Sequence, residues 1–314
     1  MDKLPLIKEY VVCPACFSAL MFEKANIQCS SCGSSYKLYD NDIISTVSDF
    51  TDEIEFSKGK WDEYYHDDSF QKEAEKTYKE STLPIVLKQI FECVTEYSET
   101  TRTFLEIGCG RADLGQEMAR RGWLFIGIDY SLNILESLKE RLESQSIENY
   151  LLIHGDITSL PVRTGSIDFI YGGGVIEHFK DTQSVVDHLF RVLKKDGISF
   201  NSVPYFNIGN LVYRSLWGSI PNIPVLKQIA EFINIKALKG KHMRFGYELQ
   251  FTADQLKKIH IRAGFKPENI SINRFDYTVT LEFIKNQFLR NFFTYLIKSN
   301  RQFWQMVKVI GIKN

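Results

Sequence analysis

Long apolar runs are missing from this chain of 314 residues. No stretch approaches the roughly 20 consecutive apolar residues of a membrane-crossing helix. No secretory leader is expected either. The first ten residues place Asp2, Lys3, Lys8 and Glu9 around a short apolar patch, which is not the charged-then-apolar layout of a signal peptide. Extremes of composition are absent: 44% of residues are hydrophobic and 25% charged, the ordinary mixture of a soluble globular protein. There is no internal repeat and no low-complexity run. The expectation is a cytoplasmic protein with reduced thiols, long enough for one substantial domain and a small one.

A large net charge is also lacking, but the total of −1 hides an uneven spread. From Ile235 onward there are 15 Lys or Arg against 5 Asp or Glu, so the rest of the chain carries −11. Such a basic C-terminal third suits a negative partner: a phosphorylated small molecule, a nucleic acid or an anionic membrane surface. It equally suits a solvated basic face that balances an acidic one within the same fold.

Cysteine is sparse except in one place. Four of the six cysteines form two pairs, Cys13-x-x-Cys16 and Cys29-x-x-Cys32. Each pair is a knuckle that presents two thiolates, and two knuckles complete a tetrahedral four-sulfur shell for structural zinc. Pro14 and Gly33 suit tight knuckle turns. Four protein ligands leave no coordination position open, so such a metal is structural and not catalytic. A segment this short buries too little apolar surface to fold alone, and metal binding supplies the missing stability. Tyr36–Tyr39, Asp40–Asp42 and Ile43–Ile44 read as a strand, a turn and a closing strand. The segment resembles the Trm112-type zinc ribbons, which occur alone and fused to methyltransferases. Cys93 and Cys109 are too distant to read as ligands.

The expected domains are a ribbon over 1–45, a linker with an aromatic lead-in over 46–81, and a large domain over 82–314. Apolar spacing predicts a helix from Leu83 to Tyr97. An alternation of strands and helices follows: strands at Thr103–Ile107, Trp123–Ile128, Tyr150–Ile153, Ile167–Tyr171 and Ile198–Val203, and helices at Ala112–Arg121, from Ser131 to Ser144, and Ser184–Lys195. Asp196-Gly197 reads as a turn. This order predicts an α/β fold with a parallel sheet covered on both faces.

Five motifs, four of them at strand ends, carry the chemistry. The first is Leu105-Glu106-Ile107-Gly108-Cys109-Gly110-Arg111, a glycine-rich turn that lets a ligand approach the backbone. A dinucleotide fingerprint wants glycine where this chain has Asp113, which argues against a pyrophosphate and against NAD or FAD. The second is Gly127-Ile128-Asp129-Tyr130-Ser131, whose carboxylate suits a ribose diol. The third is His154-Gly155-Asp156-Ile157, and the fourth Ile167–Tyr171 followed by Gly172-Gly173-Gly174-Val175-Ile176-Glu177-His178. Leu193-Lys194-Lys195-Asp196-Gly197 completes the series.

In order and spacing this series resembles the class I S-adenosylmethionine (SAM)-dependent methyltransferases, above all those of ubiquinone and menaquinone biosynthesis. The resemblance spans residues 80 to 205 well and the remainder loosely. It implies a Rossmann-like seven-stranded sheet, SAM as cofactor, and a role for each position. Glu106, Gly108, Cys109 and Gly110 form the loop beneath the methionine part. Asp129 holds the ribose hydroxyls, and Tyr130 packs on the adenine. Asp156 and the Ile157 backbone meet the adenine, and backbone near Gly172 meets the SAM amino group. Trp61 to His66 resembles a lid. For Tyr130, Trp61 and Tyr65, ordinary packing remains an equal alternative. The resemblance places His178 at the mouth of the substrate site, as a general base or as a hydrogen-bonded, fold-stabilising histidine. Some relatives bind a divalent metal through Glu-x-x-Glu-His. Here the first position is Gly174, so that site is not expected.

Two insertions, 204–250 and 277–300, exceed the minimal fold. The second holds an amphipathic helix, Leu281–Lys298, for which core packing, a lid and peripheral membrane contact are all open. Beyond them, Glu268–Phe275 and Phe303–Ile312 are the expected last strands. Together the insertions suggest a covered pocket for a bulky, anionic or lipid-like acceptor. The expected function is methyl transfer to an O, N or C atom of a small or medium-sized metabolite: a lipid, quinone, glycan or secondary metabolite. An RNA or protein methyltransferase is the alternative, although the ribbon shows no basic-aromatic stripe for nucleic acid. An idle SAM-fold module that docks a partner is a third.

Overall fold

A computed structural model describes residues 3–23, 26–39, 42–47, 59, 76, 78–94, 102–213, 218–243, 246–277 and 285–314, without the side chains of 23, 26 and 211–213. The aromatic segment Trp61–His66 lies outside the described residues. The N-terminal part comprises α1 (Leu4–Tyr10) and the short strands β1 (Leu20–Glu23), β2 (Asn26–Cys29), β3 (Ser35–Tyr39) and β4 (Ile43–Ser45). Then come α2 (Leu83–Val94), β5 (Thr103–Ile107), α3 (Asp113–Arg120), β6 (Leu124–Asp129), α4 (Leu132–Ser144), β7 (Tyr150–His154), β8 (Ile167–Gly173), α5 (Thr182–Val192) and β9 (Leu193–Pro204). The first insertion carries α6 (Ile208–Tyr213), β10 (Ile220–Pro221), α7 (Pro224–Glu231) and β11 (Leu249–Gln250). The chain closes with α8 (Ala253–Ala263), β12 (Ile270–Arg274), α9 (Gln287–Ser299) and β13 (Met306–Ile312).

The central strands are apolar on both faces because helices cover both. Adjacent residues alternate between the two sides. Phe104, Phe125 and Phe169 pack with α2, α3 and α4, whereas Leu105, Ile126 and Ile170 pack with α5 and α8. The strands β7-β6-β5-β8-β9 are parallel, and β13 runs antiparallel between β9 and β12. Numbered from β5, that is the order 3-2-1-4-5-7-6. The sheet reverses direction of travel between β5 and β8, and this switch point is where open α/β sheets bind ligands.

The four N-terminal strands do not form a freestanding unit. β4 pairs parallel with β7, Ile43 opposite Leu152 and Ser45 opposite His154, so the sheet runs unbroken through eleven strands. Ile7, Val11, Ile27 and Ile44 share one apolar core with the central strands. A hairpin pair of this size is marginal alone, and the sheet edge supplies its burial.

Several local expectations are refined. Ser131 makes no side-chain cap on α4; its N–H instead donates to Asp129 Oδ1 at 2.9 Å. Thr252 caps α8 in a reciprocal box with Gln255, and Gly264 ends the helix at φ 117. The Asp196-Gly197 turn falls inside β9, where Asp196 takes φ 62. The amphipathic helix runs over Gln287–Ser299, and none of its residues is buried. Among the described residues, no helix is long and apolar enough to cross a membrane.

Candidate functional site

The carboxyl ends of β5, β6, β7 and β8 bring the resemblance-derived residues to one end of the sheet. The turn after β5 needs left-handed backbone at three successive even positions, Gly108 (φ 54), Gly110 (φ 49) and Ala112 (φ 48). Glycine adopts that conformation without strain. A Cβ at Gly108 would lie 3.0 Å from Val175, so this turn sits directly against the loop after β8.

Asp129 ends β6, buried, with both carboxylate oxygens already fixed by main chain. Oδ2 accepts from the Gly110 N–H and Oδ1 from the Ser131 N–H, each at 2.9 Å. The two main-chain bonds orient the Asp129 carboxylate. Glu106, on the neighbouring strand β5 opposite Gly127, accepts from the Gly115 N–H at 2.9 Å. Burial pushes its carboxyl up to about 8, with Asp113 and Asp129 adding to the effect against the Gly115 hydrogen bond.

Asp113 itself opens α3, ion-paired to Lys79 at 3.4 Å and to Arg111 and Arg141 at 3.6 Å. An acid at this helix N-terminus opposes a bound pyrophosphate, which would need that positive end for itself. Three basic side chains balance Asp113, and the Glu106 carboxyl is raised to about 8.

Cys109 turns its side chain into the core. Its thiol is buried, 3.1 Å from where a Gly127 Cβ would stand, and belongs to the apolar core. Burial holds that thiol well above its ordinary range, with Asp129 and Glu106 nearby. Asp156 turns inward on its own loop, accepting from the Thr158 N–H at 2.8 Å and the Thr158 hydroxyl at 2.6 Å. Ile157 beside it is buried. Gly172 lies in β8 where any side chain would strike Asn201 Oδ1, 2.3 Å from its Cβ position. Tyr130 is half-buried, and its carbonyl meets His154 Nε2 at 3.1 Å.

His178 stands on the loop after β8, half-buried, with Nδ1 2.6 Å from the Tyr247 carbonyl. A carbonyl only accepts, so Nδ1 carries the hydrogen, and the lone pair of the neutral ring is on Nε2. Glu177 is buried, its Oε1 3.7 Å from the Cβ position of Gly174. Tyr247 belongs to the first insertion, which thereby reaches the site.

Sequence reasoning missed three side chains here. Asp113 was weighed only as a departure from a glycine motif. Tyr78 precedes α2 in a stretch without periodicity, yet Glu106 and Asp113 act on its hydroxyl. Tyr171 was read as a strand end, and its hydroxyl lies 2.4 Å from the Cβ position of Gly173. Burial pushes both phenols upward.

The four clustered cysteines come together as well. Their sulfurs all lie within 4.8 Å of one another, Cys13 to Cys32 at 3.6 Å and Cys16 to Cys29 at 3.4 Å. These spacings are far beyond a disulfide bond of about 2.05 Å and match thiolates on a tetrahedral ion with metal–sulfur bonds of about 2.3 Å. The N–H groups of Ser31 and Cys32 point at Cys29 Sγ from 3.4 and 3.5 Å, as in a metal knuckle. The donor set fits zinc.

The strand order and the glycine turn define the fold of a class I methyltransferase domain. Residues 105–200 match the family model described as a methyltransferase domain. Over 150 residues the chain is 28% identical to the demethylmenaquinone methyltransferase of Listeria welshimeri, covering 46% of this chain and 57% of that protein. The Staphylococcus epidermidis enzyme of the same name is 31% identical over 129 residues, 40% of this chain and 46% of that one. The chain thus spans about half the length of the curated relatives it matches. Among solved structures, a chain from the Haloferax volcanii complex containing the Trm112 methyltransferase activator superposes with TM-score 0.50 at 12% identity, covering 84% of this chain and 99% of that chain.

Proposed function

We propose that the chain is a SAM-dependent methyltransferase acting on a small or medium-sized metabolite, with structural zinc in its N-terminal ribbon. The observation that carries the reading is Asp129, buried at the end of β6 and clamped by the Gly110 and Ser131 amides. SAM supplies an electrophilic methyl on a sulfonium, and alignment of the acceptor does much of the remaining work.

The roles follow from position. Asp129 holds the ribose diol. Glu106 and the Gly108–Gly110 turn cradle the methionine part, and Gly172 offers main chain to its amino group. Tyr130, Asp156 and Ile157 flank the adenine. The Asp156–Thr158 hydrogen bonds hold that carboxylate on its turn, so main chain near Ile157 shares the adenine contact. Nε2 of His178, its ring oriented by Tyr247, takes a proton when the acceptor must lose one. The insertion 204–250 roofs the acceptor side through Tyr247.

Cys13, Cys16, Cys29 and Cys32 would hold the zinc, whose contribution is to fasten the knuckles and thereby the edge strands β1–β4.

The test is calorimetric titration of the purified protein with SAM and with S-adenosylhomocysteine. Micromolar binding is expected, and Asp129→Ala should weaken it by roughly 100-fold, as befits hydrogen bonds to a charged group. Folded, zinc-loaded protein that binds neither ligand would leave the fold without its cofactor and return the chain to a docking module.

A further inference from the structure

Two helical segments turn their apolar faces outward. In α7 and the turns after it, Val225 is 66% exposed, Ile229 51% and Phe232 61%. In α9, Phe288 is 77% exposed, Phe292 48% and Tyr295 67%. Within each group the spacing is i, i+4, i+7, which is one helix face. Neither helix has a buried residue. A surface helix of a globular protein normally turns such a stripe inward, and contiguous exposed apolar surface marks an interaction site.

Charge selects the partner. Between Pro224 and Lys241 there are four lysines and one acid, Glu231, whose carboxylate accepts from the Tyr247 hydroxyl at 2.7 Å. Lys236, Lys239 and Lys241 are exposed along this rim. From Lys285 to the last residue there is no Asp or Glu at all, and Lys285 and Lys298 bracket α9, both exposed. Apolar faces edged by lysine and nearly free of acid are complementary to the interface of an anionic bilayer. A second copy of the same surface would set lysine against lysine.

Topology places both segments at the working end of the sheet. The first insertion leaves β9 at Pro204, and β13 begins at Met306 directly opposite Pro204. The turn that links α9 to β13 is stapled to the first insertion: Asn207 Nδ2 donates to the Trp304 carbonyl at 2.6 Å and Arg301 Nε to the Tyr205 hydroxyl at 2.8 Å. The parallel strands carry the candidate site at this same end.

We infer that α7 with its following turns, and α9, form a docking surface for an anionic lipid bilayer, which brings the end of the sheet bearing the candidate site to the membrane. The inference concerns surface chemistry and stands whether or not the methyl-transfer reading holds.

Co-sedimentation of the full chain with phosphatidylglycerol–phosphatidylcholine vesicles, against phosphatidylcholine alone, tests it at roughly 0.1 M salt, where surface charges still act over about 10 Å. The protein should sediment with the anionic vesicles and much less with the neutral ones. The triple variant Lys236→Glu, Lys239→Glu, Lys241→Glu should weaken partitioning by roughly tenfold or more. Phe288→Ser with Phe292→Ser should weaken it comparably through lost apolar burial, and neither set should alter binding of S-adenosylhomocysteine. The lysine variants change only exposed side chains, so they keep the test valid if the serine pair folds poorly. Failure of the wild type to sediment with anionic vesicles overturns the inference. So does partitioning that ignores both sets of substitutions. A wild-type dimer by light scattering that the serine pair converts to monomer, without vesicle binding, would make this face a contact between copies of the chain instead.

Discussion

Ser45 Oγ lies 2.9 Å from His154 Nδ1, and the other nitrogen of the same ring lies 3.1 Å from the carbonyl of Tyr130. The carbonyl fixes the tautomer: Nε2 donates to it and Nδ1 accepts from the Ser45 hydroxyl. Ser45 closes the ribbon's last strand, whereas Tyr130 follows the clamped Asp129. A chain of two hydrogen bonds therefore connects β4, the last of the N-terminal strands, to the candidate cofactor site, alongside the backbone pairing of β4 with β7.

The first prediction follows from that connection. Removing zinc with a strong chelator, or replacing Cys13 and Cys16 by serine, should loosen β4 from the sheet edge. Metal analysis should give one zinc per chain before chelation and none after. Affinity for S-adenosylhomocysteine should fall together with the melting temperature, and Ser45→Ala alone should give a smaller loss, about that of one hydrogen bond or ~1 kcal/mol. Affinity unchanged in zinc-free protein would mean that the ribbon and the site are energetically separate.

Glu106 sets the second prediction. Its carboxyl is raised from 4.5 to about 8, first by burial and then by Asp113 and Asp129. The native state thus keeps a proton that the unfolded chain gives up. The resulting stability is fully present below about pH 4.5 and is lost as pH rises through about 8. Binding of a cationic ligand runs the other way, since it favours the ionised form. SAM affinity should climb as pH rises toward 8, with proton release on binding at neutral pH visible as a buffer-dependent calorimetric enthalpy. Glu106→Gln should flatten the pH profile; a Gln variant that retains the same slope would assign the proton to another group.

Much of this was legible in the sequence, for a physical reason. Strands buried on both faces must be apolar throughout, so the segments that form β5, β6 and β8 stand out, and the residues closing them gather at one end of the sheet. Hidden were the features that depend on distant partners. Nothing local to Ile43–Ser45 announces a parallel pairing with Leu152–His154. The spacing within Gln287–Ser299 revealed an apolar face but could not say that nothing in the described structure covers it. Cys109 looked like a member of the ligand turn because it sits between two glycines. Its side chain instead follows the strand alternation into the core beneath Gly127.

A third prediction concerns packing of the helix that carries the glycine turn. Gly115 lies in α3 against Phe125, and an added Cβ would stand 2.2 Å from the ring. Phe125 is fully buried, so the ring cannot move out of the way without disturbing its neighbours. Gly115→Ala should destabilise by ~1–3 kcal/mol, the usual penalty of an overpacked core, despite the better helix propensity of alanine. Adding Phe125→Leu should recover part of the loss, and a double-mutant cycle on melting temperature measures the coupling. Additive effects would show that the ring and Gly115 do not collide.

His178 separates two roles by one substitution. Its Nδ1–H holds the Tyr247 carbonyl, and its Nε2 carries the basic lone pair. Asparagine can place an amide N–H near the position of Nδ1 while offering no base. If His178 serves as the proton acceptor, His178→Asn should keep the melting temperature and cofactor affinity close to wild type, yet lower methyl transfer by roughly 100-fold or more. His178→Ala should lose activity and stability together, because the Tyr247 carbonyl then lacks its donor. An asparagine variant with full turnover would make the histidine a strut for the first insertion. The acceptor would then be one that is methylated without losing a proton to this residue, and alignment alone would account for the chemistry at this end of the sheet.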